Sequence, residues 1–411
     1  MKNFLKRIIP NFLLSWYHFV WAFLGAIIYG FPSKKLKVIG VTGTNGKSTV
    51  VFLISRILEQ AGYKVAALSS IQFKIKDKIW PNNLKMTMPG RIAIQKFLKQ
   101  AVQAGCEYVI LEVTSEGIKQ YRHKFICFDL AVFTNLTKEH IESHGSFENY
   151  KKAKGKLFKA LKSNGKMIIN SDDKNADYFL GFKANEKIEY SLKLAKDIEF
   201  SRNGMSFRFK ETQFNLNLIG KFNIYNTLAA ILVGLSEKIP LDKIKLALEN
   251  IKGIPGRMEF VVKEPFTVIV DYAHTPDALE KVYETIEESF SGKVIGILGA
   301  AGGGRDKWKR LKFGKIAEKY LDKIIITNED PYNESPQAII DEIANGLKQK
   351  QPKKILDRRQ AIHYALESAQ SGDVVIITGK GCEPWMCVAK NKKIPWDDRE
   401  VVRKEIKNMS L

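Results

Sequence analysis

Cysteine is scarce in this sequence: Cys106, Cys127, Cys382 and Cys387 are the only four in 411 residues. Their scatter excludes a disulfide scaffold, and no pair has the CxxC spacing of a zinc site, so a reducing compartment fits best. Arginine-rich tracts and recognisable nucleic-acid motifs are also missing. The formal charge of +22 comes from lysines spread over the whole length, which reads as a general charge and not as a nucleic-acid footprint. No internal repeat is present. No A-x-A-like cleavage site follows the first apolar run, which argues against export.

That apolar run is the first positive feature. From Ile8 to Phe31, 24 residues pass without Lys, Arg, Asp or Glu, and about 20 apolar residues suffice to cross a bilayer core as a helix. Trp16, Tyr17, Trp21 and Tyr29 are residue types of the water boundary, and Lys6, Arg7, Lys34 and Lys35 flank the run. Pro10, Asn11, Ser15 and His18 weaken its first half as a span. Residues 1–36 therefore read as a spanning helix, a helix in the headgroup region, or a helix packed on protein. The first two would hold the chain at the cytoplasmic face of the inner membrane, the third would leave it in the cytoplasm.

A chain of 411 residues is longer than one core usually supports, and its 45% hydrophobic content is that of a globular protein. After Pro32, LKVIGVTG reads as a buried strand entering a glycine turn, and STVVFLISRILEQAG has helical apolar spacing. YKVAALSS, CEYVILEVTS and LAVFTNL continue as strands, with RIAIQKFLKQAVQAG as an intervening helix. A second series follows Gly256: FTVIVDYA, KVIGILGA, DKIIITNED and DVVIITGKG. Strand–helix alternation predicts α/β architecture with mostly parallel sheets, whose ligands sit at the carboxyl ends of the strands. Between the two series, KDIEFSRNGMSFRFKETQFNLNLIG alternates like an antiparallel hairpin.

The segment GVTGTNGKST sets Gly43, Thr44, Asn45, Gly46, Lys47, Ser48 and Thr49 between a strand and a helix. There, backbone N–H groups and the helix N-terminus can face phosphate oxygens. Lys47 can reach the outer phosphates and Ser48 can ligate magnesium, although Val41 departs from the full GxxxxGK[ST] pattern. ATP binding follows, with GTPase, kinase and ligase all open. Glu112 ends the strand VILEV, and Asn135, Glu139, His140 and His144 lie beyond the next one. A carboxylate and an imidazole at adjacent strand ends can hold a second magnesium, offsetting the repulsion between two anions in phosphoryl transfer.

Taken in order, GVTGTNGKST, LEVTSEG, FTNLTKEHIESHG, NYKKAKGKLF, LIGKFNIYNTLAA, IPGRMEF, VDYAHTPDAL, GAAGGGRDKWKR, TNEDPY, ITGKGCE and WDDRE resemble the motif series of the Mur ligases, most closely the MurE type, from about Pro32 to Arg403. The resemblance implies a central P-loop-type ATPase domain over residues 37–255 and a Rossmann-like α/β domain over 256–411. It implies ATP-dependent joining of an amino acid to a carboxylate of a peptidoglycan precursor through an acyl phosphate, with magnesium at two sites. Carried over by residue, Lys47 and Ser48 serve the phosphates and first magnesium, Glu112 and His140 form the metal-binding pair, and Lys154 is the lysine that the family carbamylates. Asn223 and Asn226 match an asparagine pair near the adenine, Arg257 an interdomain arginine, and Asp271, Tyr272 and His274 residues near nucleotide and hinge. Arg305, Glu329, Asp330, Tyr332 and Glu383 fall in segments that meet the substrate.

Departures blur the acceptor and the amino acid. The family's uridine-nucleotide-binding first domain is not found before the ATPase segments, where the apolar run stands instead. Tyr332 replaces the arginine that clamps the side-chain carboxylate of diaminopimelate, so lysine or another amino acid gains, and Glu329, Asp330 and Glu383 could attract a basic side chain. Cys382 and Glu116 each stand where histidine is common. A ligase for a polyglutamate or cyanophycin-like acceptor, and a nucleotide-binding scaffold without catalysis, are the competing expectations.

Overall fold

The computed structural model describes residues 10–84, 86–139, 141–304 and 306–409. His140, Arg305 and the first nine residues of the apolar segment lie outside the described residues. The chain divides into two compact units: one takes the residues up to Lys138 with His144–Ala195 and Ile224–Leu248, the other Glu139–Ser143, Lys196–Asn223 and the residues from Glu249 onward.

In chain order the elements begin with α1 (Asn11–Ile28), β1 (Lys37–Thr42), α2 (Lys47–Gln60), β2 (Val65–Leu68), β3 (Gln72–Ile75), β4 (Lys78–Pro81), α3 (Arg91–Gln103) and β5 (Tyr108–Glu112). They continue with α4 (Ser115–Lys119), β6 (Phe128–Phe133), α5 (Ile141–His144), α6 (Phe147–Phe158), β7 (Leu161–Asn170), α7 (Ala176–Leu180) and β8 (Glu186–Tyr190). These strands form an eight-stranded sheet of order β4-β3-β2-β5-β1-β6-β7-β8. From β2 to β8 all neighbours are parallel, while β3 and β4 turn back antiparallel at one edge. The chain leaves β1 toward β2 on one side and returns from β5 to β6 on the other. The carboxyl end of β1 is thus a topological switch point, where a crevice opens for ligand.

Burial explains the parallel strands. Val38, Val109, Leu111, Ala131, Phe133, Met167 and Ile169 are buried in one cluster with Leu98, Leu157 and Phe158 of the covering helices. Their sequence neighbours Ile39, Ile110, Val132 and Ile168 are equally buried on the opposite face, so the strands read as continuous apolar runs.

The helix α1 crosses α3 through small residues. Ala22 and Ala26 are buried, and a Cβ on Gly25 would stand 3.2 Å from the Ile92 backbone. Phe19 and Phe23 meet Phe125, and the Ser15 and Tyr121 hydroxyls share a 2.7 Å hydrogen bond. No helix among the described residues is long and apolar enough to cross a membrane. The spanning reading of residues 1–36 therefore finds no support in α1, whose 18 residues begin after Pro10 and stop before Gly30.

Beyond the large sheet come β9 (Ala195–Ser201), β10 (Gly204–Phe209), β11 (Thr212–Leu216), α8 (Lys221–Ser236) and α9 (Leu241–Glu249). The expected hairpin is thus a three-stranded sheet, β11-β10-β9. Its second turn is made by Lys210 in the left-handed region at φ 52°, where the sequence offers no glycine or proline signal.

The later elements are β12 (Glu259–Val262), β13 (Thr267–Asp271), α10 (Pro276–Ser289), β14 (Val294–Leu298), α11 (Trp308–Tyr320), β15 (Lys323–Thr327), α12 (Pro336–Ala344), β16 (Lys353–Ile355), α13 (Arg358–Glu367), β17 (Val374–Thr378), β18 (Trp385–Val388), β19 (Lys392–Pro395) and α14 (Asp398–Asn408). A six-stranded sheet of order β12-β13-β17-β14-β15-β16 is parallel except for β12. Ile269, Val294, Leu298, Ile324, Ile326 and Ile376 pack on one face, Val268, Val270, Ile295, Ile297, Ile325 and Ile377 on the other. Both faces are covered, as period-2 alternation of wholly apolar strands requires.

Candidate active site

In the first unit, the loop from β1 to α2 is shaped by where its glycines must go. Gly46 caps α2 at φ 81°, and a Cβ there would meet the Asn226 side chain at 2.3 Å, so only glycine tolerates both the left-handed backbone and the approach of α8. The loop is tied to the end of β6. Thr44 N–H donates to the Asn135 carbonyl at 2.8 Å, Asn45 N–H to the Asn135 side-chain oxygen at 2.9 Å, and Thr134 and Asn135 donate back to the Asn45 carbonyl. Thr137 N–H donates to the Thr44 hydroxyl at 3.0 Å. Thr49 is buried within the first turn of α2. Lys47 Nζ donates to the Thr44 carbonyl at 2.7 Å, holding its ammonium against the loop.

Behind the loop lies a compact polar cluster. Glu112, at the carboxyl end of β5 and only 3% exposed, accepts from the Ser48 hydroxyl at 2.8 Å and from Ser70 N–H at 2.8 Å. The Ser48 and Ser70 hydroxyls are 2.7 Å apart. From α6, the buried Lys154 donates to the Gly43 carbonyl at 2.5 Å and stands 4.6 Å over the Tyr150 ring, one helical turn earlier. The Tyr150 hydroxyl in turn lies 3.1 Å from that of Thr44. Three expected residues, Ser48, Glu112 and Lys154, thus surround one loop, joined by Ser70 and Tyr150, which the sequence reading passed over. Two signals were available: Ser70 ends the apolar run of β2, and Tyr150 is four residues before Lys154 on a helix.

The donor set suits magnesium. Among the described residues no three His, Cys, Asp or Glu side chains converge as a metal cage. A hydroxyl and one carboxylate leave most positions of an octahedron to phosphate oxygens and water, which is how Mg²⁺ is usually held in nucleotide sites. Next to this cluster the Glu116 carboxylate lies 3.4 Å from His144 Nε2. Burial lowers the His144 pKa, with Glu116 opposing the shift. Asn226 faces Gly46 as described, whereas Asn223 falls in the second unit, where its side chain donates to the Ile219 carbonyl at 2.8 Å.

In the second unit the expected residues gather at the carboxyl ends of β13, β15 and β17. The Arg257 guanidinium stacks 4.3 Å over the Tyr272 ring and donates to the Gly256 carbonyl. Asp271 is fully buried and accepts from Met258 and Ala273 N–H at 2.7 and 2.6 Å; burial raises its pKa against the pull of Arg257 and these two bonds. His274 Nδ1 is 2.9 Å from the Tyr272 carbonyl. The Tyr272 hydroxyl reaches Glu383 at 3.2 Å. A Cβ on Gly256 would stand 2.2 Å from Cys382 N, so the arginine turn is pressed against the GKGC loop. Lys309 pairs with both Glu139 and Asp306.

Lys380, which was assigned no role from sequence, organises the acidic residues. Its fully buried ammonium bonds Asp330 at 2.9 Å and Glu383 at 2.6 Å. Burial alone would lower its pKa, but Glu383 and Asp330 overcome this and hold it charged. Asp330 also accepts from Cys387 N–H at 2.8 Å. Glu329, 5% exposed, accepts no hydrogen bond among the described residues; burial, with Asp330 beside it, pushes its pKa up to about 7. Tyr332 is held at φ 52° by a bond from its N–H to the Cys387 carbonyl, with its ring against Gly303. Arg358 and Asp398 form a buried two-pronged pair at 2.8 and 2.7 Å, anchoring the WDDRE segment beneath.

Residues 41–234 match the Mur ligase middle domain and residues 256–381 the Mur ligase, glutamate ligase domain. The UDP-N-acetylmuramoyl-L-alanyl-D-glutamate--2,6-diaminopimelate ligase of Aquifex aeolicus is 40% identical over 383 residues, covering 91% of this chain and 78% of that protein. A solved structure of a ligase of the same name superposes with TM-score 0.63 at 30% identity, covering 92% of this chain and 79% of that one. Mycobacterium tuberculosis folylpolyglutamate synthase shares the fold, with TM-score 0.72 at 16% identity, 88% of this chain and 92% of the other being covered.

Proposed function

From the premise that the chain belongs to the Mur ligase family, we infer that it is an ATP-dependent amide ligase of peptidoglycan-precursor synthesis. Residues 37–255 bind ATP and residues 256–411 bring the amino acid. The observation that carries the reading is the Ser48–Glu112–Lys154 cluster behind the phosphate loop. A scaffold without catalysis would have no use for a buried carboxylate and a buried lysine at that place.

The chemistry proceeds in two displacements. The acceptor carboxylate attacks the γ-phosphorus and ADP departs; the amine then attacks the acyl carbon, and phosphate leaves with the electrons of the acyl C–O bond. Backbone N–H groups of residues 43–49 and the Lys47 ammonium stabilise the phosphates. Lys47 must exchange the Thr44 carbonyl for phosphate oxygens. Ser48 and Glu112 would hold magnesium, His140 would contribute to a second ion, and the metal would neutralise charge between the two reacting anions. Carbamylation of Lys154 would turn its cation into an anionic oxygen donor while keeping one N–H for the Gly43 carbonyl. Asn223 and Asn226 would serve the adenine, and Asp271, Tyr272 and His274 the nucleotide end of the second unit, with Arg257 stacked on Tyr272.

The amino acid is proposed to carry a cationic side chain without a distal carboxylate, lysine being the simplest case. Glu329, Asp330 and Glu383 outnumber Lys380, and Tyr332 cannot give a carboxylate the paired bonds of an arginine. Arg305 is assigned to the substrate with them. A matrix of precursor acceptors against amino acids, read by product mass and Pi release, tests the reading. Lysine with a precursor ending in D-glutamate is expected to give product. Diaminopimelate as the best amino acid would overturn the reading of Tyr332, and no Pi release with any precursor would overturn the ligase assignment.

A further inference from the structure

We propose that the outward face of α1 is a docking surface for an anionic bilayer, with the helix lying in the headgroup region; this goes beyond the ligase reading and does not depend on it. Packed helices bury their largest apolar side chains, yet α1 does the reverse. Its small residues Ala22, Gly25 and Ala26 face α3, while Phe12 is 70% exposed, Trp16 67% and Ile28 64%. Ten of the nineteen large hydrophobic side chains exposed among the described residues lie in these 18 positions. At roughly 200 Å² per large side chain, the open apolar surface is on the order of 1,000 Å², above the few hundred of an ordinary monomer's largest patch.

Charge chooses among occupants. Residues 1–36 carry Lys2, Lys6, Arg7, Lys34 and Lys35 and no acidic residue, in a chain of net charge +22. Arg91 adds a guanidinium 5.6 Å from the Tyr17 ring at the edge of the patch. A second copy of the chain would bring Lys34, Lys35 and Arg91 against their own like charges, whereas anionic lipid supplies both the apolar medium and the counter-charge. Trp16, Tyr17 and Trp21 are the residue types that settle at a headgroup boundary. With Ala22, Gly25 and Ala26 packed toward α3, the exposed apolar side runs along the length of α1, which suits a helix lying in the headgroup plane.

The full chain should float with vesicles containing about a third phosphatidylglycerol, release as salt is raised from about 0.1 M, and float poorly with pure phosphatidylcholine. The double variant Trp16→Ser, Ile28→Ser should bind the anionic vesicles about tenfold more weakly while keeping wild-type ATP turnover, which certifies its fold. Light scattering of both proteins supplies the alternative. Absence of flotation, equal flotation on phosphatidylcholine, or loss of self-association in the variant in place of loss of flotation would each overturn the proposal.

Discussion

Around the phosphate loop, charge and hydrogen bonding are settled inside the protein; around Lys380, they are not. Glu112 is held by two serines, and Lys154 by the Gly43 carbonyl and the Tyr150 ring. In the second unit, Asp330 and Glu383 share one buried ammonium, and burial beside Asp330 leaves Glu329 with a pKa raised to about 7. The difference separates two tasks. A site that performs the same phosphoryl chemistry in every turnover gains from preorganised groups. The proposed amino-acid site would gain instead from an imbalance that a cationic guest removes.

The comparison can be broken at its strongest point first. Lys154→Ala should lower acceptor-dependent Pi release about 10³-fold or more, with partial return on adding a small carboxylic acid; full activity in this variant would take Lys154 out of the site. Glu112→Gln keeps the hydrogen-bonding shape and removes the charge, so a loss of about 10²-fold with a raised magnesium requirement is expected. An unchanged magnesium titration would show that the cluster is structural.

Glu329 sharpens the other side. Its folded pKa is raised, so the folded state binds the proton more tightly than the unfolded chain does. Stability from this group is therefore full below about pH 4.5 and declines as pH rises toward about 7. Glu329→Gln should be more stable than the parent at pH 8 by up to about 3 kcal/mol, with little difference at pH 4.5, as read by urea unfolding at both pH values. A pH-independent difference would mean that the carboxyl is already paired. Smallest in effect, Tyr332→Arg should shift selectivity about tenfold toward diaminopimelate over lysine, measured as a ratio of kcat/KM; no shift would place the selecting contact elsewhere.

The phosphate loop and the strand ends were legible because their signals are local: a glycine turn between a strand and a helix, and polar residues closing apolar runs. The β3–β4 and β18–β19 hairpins were not, since four-residue strands such as KIWP and KKIP carry no period long enough to read. Lys380 was hidden for a different reason. A lysine in a glycine loop looks solvated until the fold surrounds it with Asp330 and Glu383, fifty residues before it and one turn after it. Likewise α1 announced its apolarity but not which side faces the protein, because its outward large residues and inward small ones invert the usual rule.

The close seating of Gly256 on the GKGC loop also has a mechanical meaning. With no room for even a methyl group between them, the arginine turn and the loop bearing Lys380 and Glu383 form a single plate, pinned again by the bond from Tyr272 to Glu383. Tilting one edge of a plate tilts the other. A shift of the loop that bears Lys380 and Glu383 must therefore carry the arginine turn with it, since neither can move into the other.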